Sequence, residues 1–552
     1  MGDITARHLQ PTRISRYRID ESARLSNHPS MTEPLPAFPD AFNMADYFVF
    51  ANVEAGRGEK TALLFEDRAI SYAEVAANVT RVAERLLASG LLPEQRVLLC
   101  MRDCPEFVYA WFGAIKAGAV VTQINPMLPA SDYAYYLGYV KPQFAFIDET
   151  SLEAFQAARA GARYCQDPGA VILVGDAPGL PGFDGWIAAT EPPAPPPWPT
   201  RKDDPAVWLF TSGTTGQSKG AAHCHFHFAY NTEVYAKRFI GIAESDITLS
   251  GPRLYFGYAT GTNLMFPFAV GATAILAREQ PTPEGLFALV ERHRPTVLTN
   301  VPTLISKMLE AEAGAPDLSS IRMMWSAGEA LPRELHARWN ARFGVPIIDG
   351  IGSAESFHIY ISNRPGDIRP GSLGRLVPGY EADLLDDDGM PITGGEIGVL
   401  RIRGDSAALY YHGDYAKSKR HLGGGAIVSG DLFRRDAEGY WYYEGRGDDM
   451  IKSGGIYVSP LEVEGCLSEH PAVLECCVFG RADANGLEKP VVVIVPREAV
   501  AAGEALGVEV LDFARSRLAR YKVPHQVYLS DVPLPRNDRD KIDRKKLRET
   551  YR

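Results

Sequence analysis

Residues 211–220 read Thr-Ser-Gly-Thr-Thr-Gly-Gln-Ser-Lys-Gly. Gly213, Gly216 and Gly220 let a backbone turn tightly and approach an anion closely. The hydroxyls of Thr211, Ser212, Thr214 and Thr215, with the amide N–H groups around them, are donors for phosphate oxygens. Lys219 adds a positive charge. The run is a phosphate cradle, although it lacks the GxxxxGK[ST] spacing of a P-loop. His223, His225 and His227 follow at alternate positions, a pattern that suggests a metal site. No Cys, Asp or Glu partner falls at matching spacing, and no metal is assigned to them.

The elements around the cradle alternate between strand and helix. Residues 72–90 carry apolar positions at helical spacing and stop at Gly90. RVLLCM (96–101) reads as a strand, and a helix starting after Asp103 runs to Gly118. AVVTQIN, FAFIDE (144–149) and AVILVGD (170–176) are further buried strands. Strands alternating with helices predict parallel sheets covered on both faces. EPPAPPPWPTRKDDP (191–205) is an extended, Pro-rich connector leading to the strand AVWLF and the cradle. TVLTNV (296–301), IRMMWSAG (321–328) and VPIIDGIG (345–352) are strands that end in small residues. Ligands of open α/β sheets sit outside the carboxyl ends of strands, so these three loops are candidate walls of one site. From about Pro370 short alternating runs between Gly and Asp turns predict a β-rich subdomain. Beyond GRGDDM (445–450) comes a compact α+β unit of about 100 residues with a basic tail.

The chain has 552 residues, 46% hydrophobic and 23% charged, enough apolar material for large cores. A net charge of -11 argues against a broad nucleic-acid surface but permits a local basic groove. No run of 18 apolar residues predicts a membrane span, and the mixed-charge N-terminus does not read as a secretory signal. The seven cysteines are scattered without a CxxC pair, as expected of free thiols in a reducing cytoplasm.

TSGTTGQSKG resembles the phosphate-binding signature of the acyl-adenylate-forming superfamily, which includes acyl- and aryl-CoA ligases and adenylation domains. Other motifs of that superfamily follow in order: SAGEALP (326–332), IGSAE (351–355), SGDLFRRDAEGYWYYEGRGDDMIKSGGIYVSPLEVE (429–464) and PLPRNDRDKIDRKKLRE (533–549). HFHFAYNTEVYAKRFIGI, RLYFGYATGTNLMFPFAVGATAIL and DGIGSAESFHIYISNRPGDIRPGSLGRLVPGYE are similar to benzoate-CoA ligases and relatives acting on substituted benzoates. Five positions depart from the pattern of the superfamily or of many relatives. Ser218 stands where a proline is usual, Ile351 replaces an aromatic, Ala354 a threonine, Asp540 a glycine and Phe256 a histidine.

The resemblance implies a role for each matched residue. Lys541 would meet the carboxylate and α-phosphate during adenylation, and Glu355 would bind Mg²⁺, a hard cation that prefers oxygen ligands. Thr211 to Gly216 and Lys219 would hold the phosphates. Asp431 and Arg446 would hold the ribose. Gly328, Glu329 and Ala330 would border adenine, with Asp349 near its amino group and Gly350 and Ile351 beside it. Phe256, Tyr258 and Ala259 on one side, and Gly350, Ile351, Gly352 and His358 on the other, would form a flat slot for an aromatic acid, with His223 close by. A second half-reaction needs a CoA thiol near the acyl carbonyl. The superfamily achieves this by rotating its C-terminal domain about a hinge, here Asp448, which would bring Lys452, Gly454 and Gly455 to the site.

The reading is an α/β protein. A large N-terminal domain (1–447) of helix-covered sheets with a β-rich subdomain precedes a small mobile α+β C-terminal domain (448–552). The implied function is ATP-dependent ligation of benzoate, anthranilate or salicylate to CoA through an aroyl-AMP, releasing AMP and diphosphate. The alternative is a stand-alone aryl-adenylating enzyme that loads a carrier protein in trans. The implied ligands are ATP, Mg²⁺, coenzyme A and a small aromatic carboxylic acid. No nucleic-acid or membrane partner is expected, the location is cytoplasmic, and a homodimer is compatible with the sequence.

Overall fold

The computed structural model describes residues 34–190, 192–211, 217–311, 316–392, 395–447, 449–453, 456–482, 488–497, 504–536 and 542–551. Two large sheets dominate. One has nine strands, with Ile347–Gly352, Met323–Ser326, Val297–Asn300, Ile247–Ser250, Thr273–Leu276 and Thr61–Phe65 as successive neighbours. The other has six, in the order Val171–Val174, Phe144–Asp148, Arg96–Cys100, Val120–Gln123, Pro205–Thr211 and Lys219–Cys224. Neighbours in the middle of both sheets run parallel, as the alternating helices require.

Side-chain alternation explains why the two sheets belong to one body. Val97 and Leu99 join a central core, whereas Leu98 and Cys100, pointing the other way, join a separate outer one. In the nine-stranded sheet Val297 and Trp325 enter that same central core, and Leu298 and Met324 face a third. Each sheet is therefore buried on both faces, and the central core is the layer they share. The helix Pro105–Lys116 lies within it and is apolar nearly all round, with Phe107, Val108, Trp111, Phe112 and Ile115 fully buried. Phe112 stacks on Phe268, with ring centroids 5.9 Å apart and the planes 13° from parallel.

Local signals set the element ends. The helix Tyr72–Ala88 starts at Ser71, whose side chain accepts from the Glu74 N–H while Glu74 reaches back to the Ser71 N–H. Gly90 and Gly118 follow their helices with φ of 87° and 83°. The parallel expectation does not extend to the edges. Lys219–Cys224 pairs antiparallel with Pro205–Thr211, because the short glycine-rich run between them can join only antiparallel neighbours. Ile359–Ser362 likewise turns back antiparallel along Ile347–Gly352.

A six-stranded antiparallel sheet follows, built on Glu381–Leu385, Gly398–Arg403 and Ala426–Arg435, with Trp441–Arg446 paired to the last. The C-terminal region is a three-stranded sheet of Val473–Ala482, Glu488–Pro496 and Gln526–Leu529 with the helices Pro460–Ser468, Glu504–Arg517 and Arg544–Thr550. It has cores of its own, on either face of that sheet. Pro192–Thr200, within the Pro-rich connector, forms neither helix nor strand.

Candidate active site

The carboxyl ends of three parallel strands line up. Asn300 is registered with Ser326, and Ser326 with Asp349. The loops after them are tied together: Glu329 accepts from the Thr303 N–H at 3.0 Å and from the Thr303 hydroxyl at 2.8 Å. Gly328, at φ 87°, turns the chain just before Glu329, and Ala330 is exposed on the same loop. Asp349 is buried, and its Oδ1 has no hydrogen-bond partner among the described residues. Burial pushes its carboxyl up to about 8, against the pull of the nearby Ser326 hydroxyl and the Gly350 N–H.

Gly350 and Gly352 owe their identity to the returning strand. A Cβ on Gly350 would stand 2.8 Å from the Ile361 carbonyl oxygen, and one on Gly352 2.3 Å from that of His358. Ile351, between them, packs part-buried against the central core. The short turn Ala354–Ser356 then carries Glu355.

Glu355 meets the phosphate-loop strand through a residue that sequence reasoning missed. Tyr411 donates its hydroxyl to Glu355 Oε1 at 2.7 Å. Lys219 Nζ lies 4.5 Å from the centre of the Tyr411 ring. Burial and the nearby Lys417 hold the Lys219 ammonium below its ordinary range, while Glu355 and Asp414 pull it back. Thr211 stands opposite Lys219 at the mouth of the loop, and Ser212, Gly213, Thr214, Thr215 and Gly216 lie outside the described residues. Tyr411 carried no sequence signal beyond an aromatic pair in a stretch read only as β-rich.

His223 is fully buried and supports the Glu355 turn from behind. Its Nε2 lies 2.7 Å from the Ala354 carbonyl oxygen and its Nδ1 3.2 Å from His227 Nδ1. Burial lowers the His223 imidazole to about 4, so it is neutral at pH 7. Nδ1 of His225, the third of the trio, accepts from the Met44 N–H. No group of three or more His, Cys, Asp or Glu among the described residues could hold a metal unaided. Oε2 of Glu355 makes no hydrogen bond among the described residues, which leaves one carboxylate oxygen open to a cation.

Phe256 precedes the helical turn Gly257–Thr260, which holds Tyr258 and the fully buried Ala259. His358 faces them: its Nε2 lies 3.0 Å from the Tyr258 carbonyl oxygen, and the two rings are 5.5 Å apart. A carbonyl only accepts, so Nε2 carries the proton, and the buried Nδ1 is a bare acceptor with no partner among the described residues. Gly261 makes room for this ring, since a Cβ there would fall 2.2 Å from His358 Cδ2.

Asp431 and Arg446 sit opposite each other on paired strands, 3.6 Å apart between Oδ1 and Nε. Beyond them, Lys452 lies in the hairpin Ile451–Ser453 with Ile456–Val458, while Asp448, Gly454, Gly455 and Lys541 lie outside the described residues. The residues flanking Lys541 can be followed. Arg536 bridges to Ile542, and Arg536 Nη1 is 3.4 Å from the Thr303 hydroxyl. The C-terminal unit thus touches the loop pair that contains Glu329.

A fold of two helix-covered sheets with a small C-terminal unit, and a carboxylate, Glu355, linked through Tyr411 to the lysine that follows a glycine-rich run, defines a class. The chain belongs to the AMP-binding enzyme family: that family's model matches residues 50–412, and its C-terminal domain model matches 462–541. Within that family, the chain is 40% identical to the benzoate–CoA ligase of Thauera aromatica over 94% of this chain and 98% of that protein. Among solved structures it resembles the anthranilate CoA ligase AuaEII in complex with anthranoyl-AMP, with a TM-score of 0.87, 35% identity and coverage of 93% and 98%. A benzoate CoA ligase from Burkholderia xenovorans LB400 superposes with a TM-score of 0.84 at 39% identity, covering 92% and 100%.

Proposed function

We propose that this protein is an ATP-dependent aryl-CoA ligase acting on benzoate or a substituted benzoate. The observation that carries this reading is the 40% identity to a benzoate–CoA ligase along nearly the full length of both chains. A carboxylate is a poor acyl donor, because displacement by a thiol would have to expel oxide. In the first half-reaction a carboxylate oxygen attacks the α-phosphorus of ATP, a C–O–P anhydride forms and diphosphate leaves. In the second, the CoA thiol gives up its proton and adds to the acyl carbonyl, and AMP departs with the C–O bonding electrons.

In this reading Thr211, the residues 212–216 and Lys219 hold the phosphates, and Glu355 offers its free oxygen to Mg²⁺. Bound magnesium would supply positive charge to the phosphate oxygens. Asp431 and Arg446 hold the ribose, and Asp349 accepts from the adenine amino group, a role its unpartnered Oδ1 supports. Lys541 bridges acid and α-phosphate in line. Phe256, Tyr258, Ala259, Gly352 and His358 surround the ring, and His223 acts from one layer behind, through the Ala354 carbonyl. Residues 1–447 form the adenylating domain and 448–552 a domain that turns about Asp448 between the half-reactions. The contact of Arg536 with Thr303 supports assigning the present arrangement to the adenylating half. The seven cysteines, all free and six of them buried, suit a reducing compartment.

The test is a panel of benzoate, anthranilate, salicylate and 4-hydroxybenzoate with Mg²⁺ and ATP, measuring AMP release with and without CoA. CoA-dependent AMP release with an aroyl-CoA product is expected for at least one acid. Absence of ATP consumption with all of them would end the proposal. Turnover only with a pantetheinylated carrier would favour the carrier-loading reading.

A further inference from the structure

The segment 406–412 grips both the Glu355 turn and the strand that begins at Lys219. Ser406 donates its hydroxyl to the Ser356 carbonyl at 2.9 Å, and the Ala408 N–H donates to the Glu355 carbonyl at 2.7 Å. Leu409 and His412 donate their N–H groups to the carbonyls of Ala222 and Gly220, at 2.8 and 2.9 Å. Tyr411, 5% exposed, pairs with Ala221 in an antiparallel bridge. Its side chain then spans the gap. The hydroxyl holds one oxygen of Glu355, and the face of the ring seats the Lys219 ammonium.

Glu355 and Lys219 come from different sheets, and no direct bond joins them among the described residues. A carboxylate with both oxygens free can rotate and can collapse onto a neighbouring ammonium. One phenolic donor stops both movements, because the occupied oxygen fixes the plane of the carboxylate and directs the other. We infer that Tyr411 is a positioning residue for adenylation: it orients Glu355 toward the magnesium of ATP and keeps Lys219 beside it on the phosphate side. This inference rests on the reading of Glu355 given above.

The test is calorimetric binding of α,β-methylene-ATP, once with excess Mg²⁺ and once with EDTA. Tyr411→Phe keeps the ring and loses the donor. Its affinity should fall about tenfold with Mg²⁺, as expected for losing a hydrogen bond to a charged group, and stay within about twofold in EDTA. Tyr411→Met also removes the seat for Lys219, so affinity should fall in both conditions. Thioester formation from supplied aroyl-AMP needs neither metal nor triphosphate and should stay within a few fold of wild type for both variants. Equal weakening of Tyr411→Phe with and without Mg²⁺ would mark Tyr411 as merely structural and overturn the proposal. So would wild-type binding, or loss of the aroyl-AMP reaction. If the Phe variant is insoluble, wild-type affinity of the Met variant in both conditions overturns it equally. Glu355→Gln separates the two readings: if it leaves the Mg²⁺ dependence of binding untouched, the assignment of Glu355 itself has failed.

Discussion

Arg446 stands directly across a β-ladder from Asp431, with its Nε 3.6 Å from the carboxylate, at the last rung before the chain enters its C-terminal unit. Both side chains are partly exposed, 46% for Arg446 and 31% for Asp431, so the pair adds little to stability. In the proposed ribose role it would offer an acceptor for vicinal hydroxyls beside a donor. Asp431→Ala should raise the KM for ATP by about tenfold or more in pyrophosphate exchange, consistent with losing charge-assisted hydrogen bonds. Its melting temperature should stay within about 2 °C of wild type. A normal KM for ATP would remove Asp431 from the ribose site.

In the proposed mechanism Lys541 serves the first half-reaction, and rotation about Asp448 leads to the second. Lys541→Ala should lower aryl-acid-dependent pyrophosphate exchange by at least about 100-fold, while thioester formation from supplied aroyl-AMP stays within a few fold. Asp448→Pro should do the reverse, because a fixed φ obstructs rotation at that position. Loss of both half-reactions in Lys541→Ala would count against a turning C-terminal domain.

Asp349 makes a pH prediction with a definite sign. Its folded carboxyl is pushed up to about 8, whereas an unfolded Asp titrates near 3.9. Between those values the native state holds a proton that the unfolded chain has released, so this residue's contribution to stability falls as pH rises from about 4 to 8. Asp349→Asn should therefore raise the melting temperature of the nucleotide-free protein by a few degrees at pH 8 and by much less at pH 5. Equal shifts at both values would show that the carboxyl is ionised in the fold.

Gly261 and Gly352 are fixed by neighbours. Ala at 352 would drive a methyl group to 2.3 Å from the His358 carbonyl, and Ala at 261 would meet the His358 ring at 2.2 Å. Each should cost about 1–3 kcal/mol from overpacking and move His358. Chemical denaturation measures the cost. An unchanged midpoint for either variant would show that the strand Ile359–Ser362 or the ring yields freely.

The framework was readable in the sequence because its strands are short apolar runs that end in Gly, Ser or Asn. The buried helix Pro105–Lys116 was readable from its length and from Gly118 at its end. Less of the site could be read. The glycine-rich run disclosed a phosphate cradle, but its shortness, which forces the strand after it to turn back antiparallel, went unread under the general expectation of parallel sheets. Gly350 and Gly352 looked like pocket walls; their contact with the returning chain at His358–Ser362 depends on a local antiparallel pairing that the sequence reading did not place. Tyr411 escaped notice because its partners, Lys219 and Glu355, lie 192 and 56 positions away and are brought to it only by the assembled sheets. His223 was noticed for its spacing, but its bond to the Ala354 carbonyl could not be foreseen from that.

The layer of rings trapped between the two large sheets has no seam, whereas the terminal unit carries cores of its own. Heat should therefore dismantle the molecule in two instalments. A scanning calorimeter would resolve a small endotherm for the terminal lobe and one large cooperative endotherm for everything before it, and a ligand held by both lobes would draw the two peaks together.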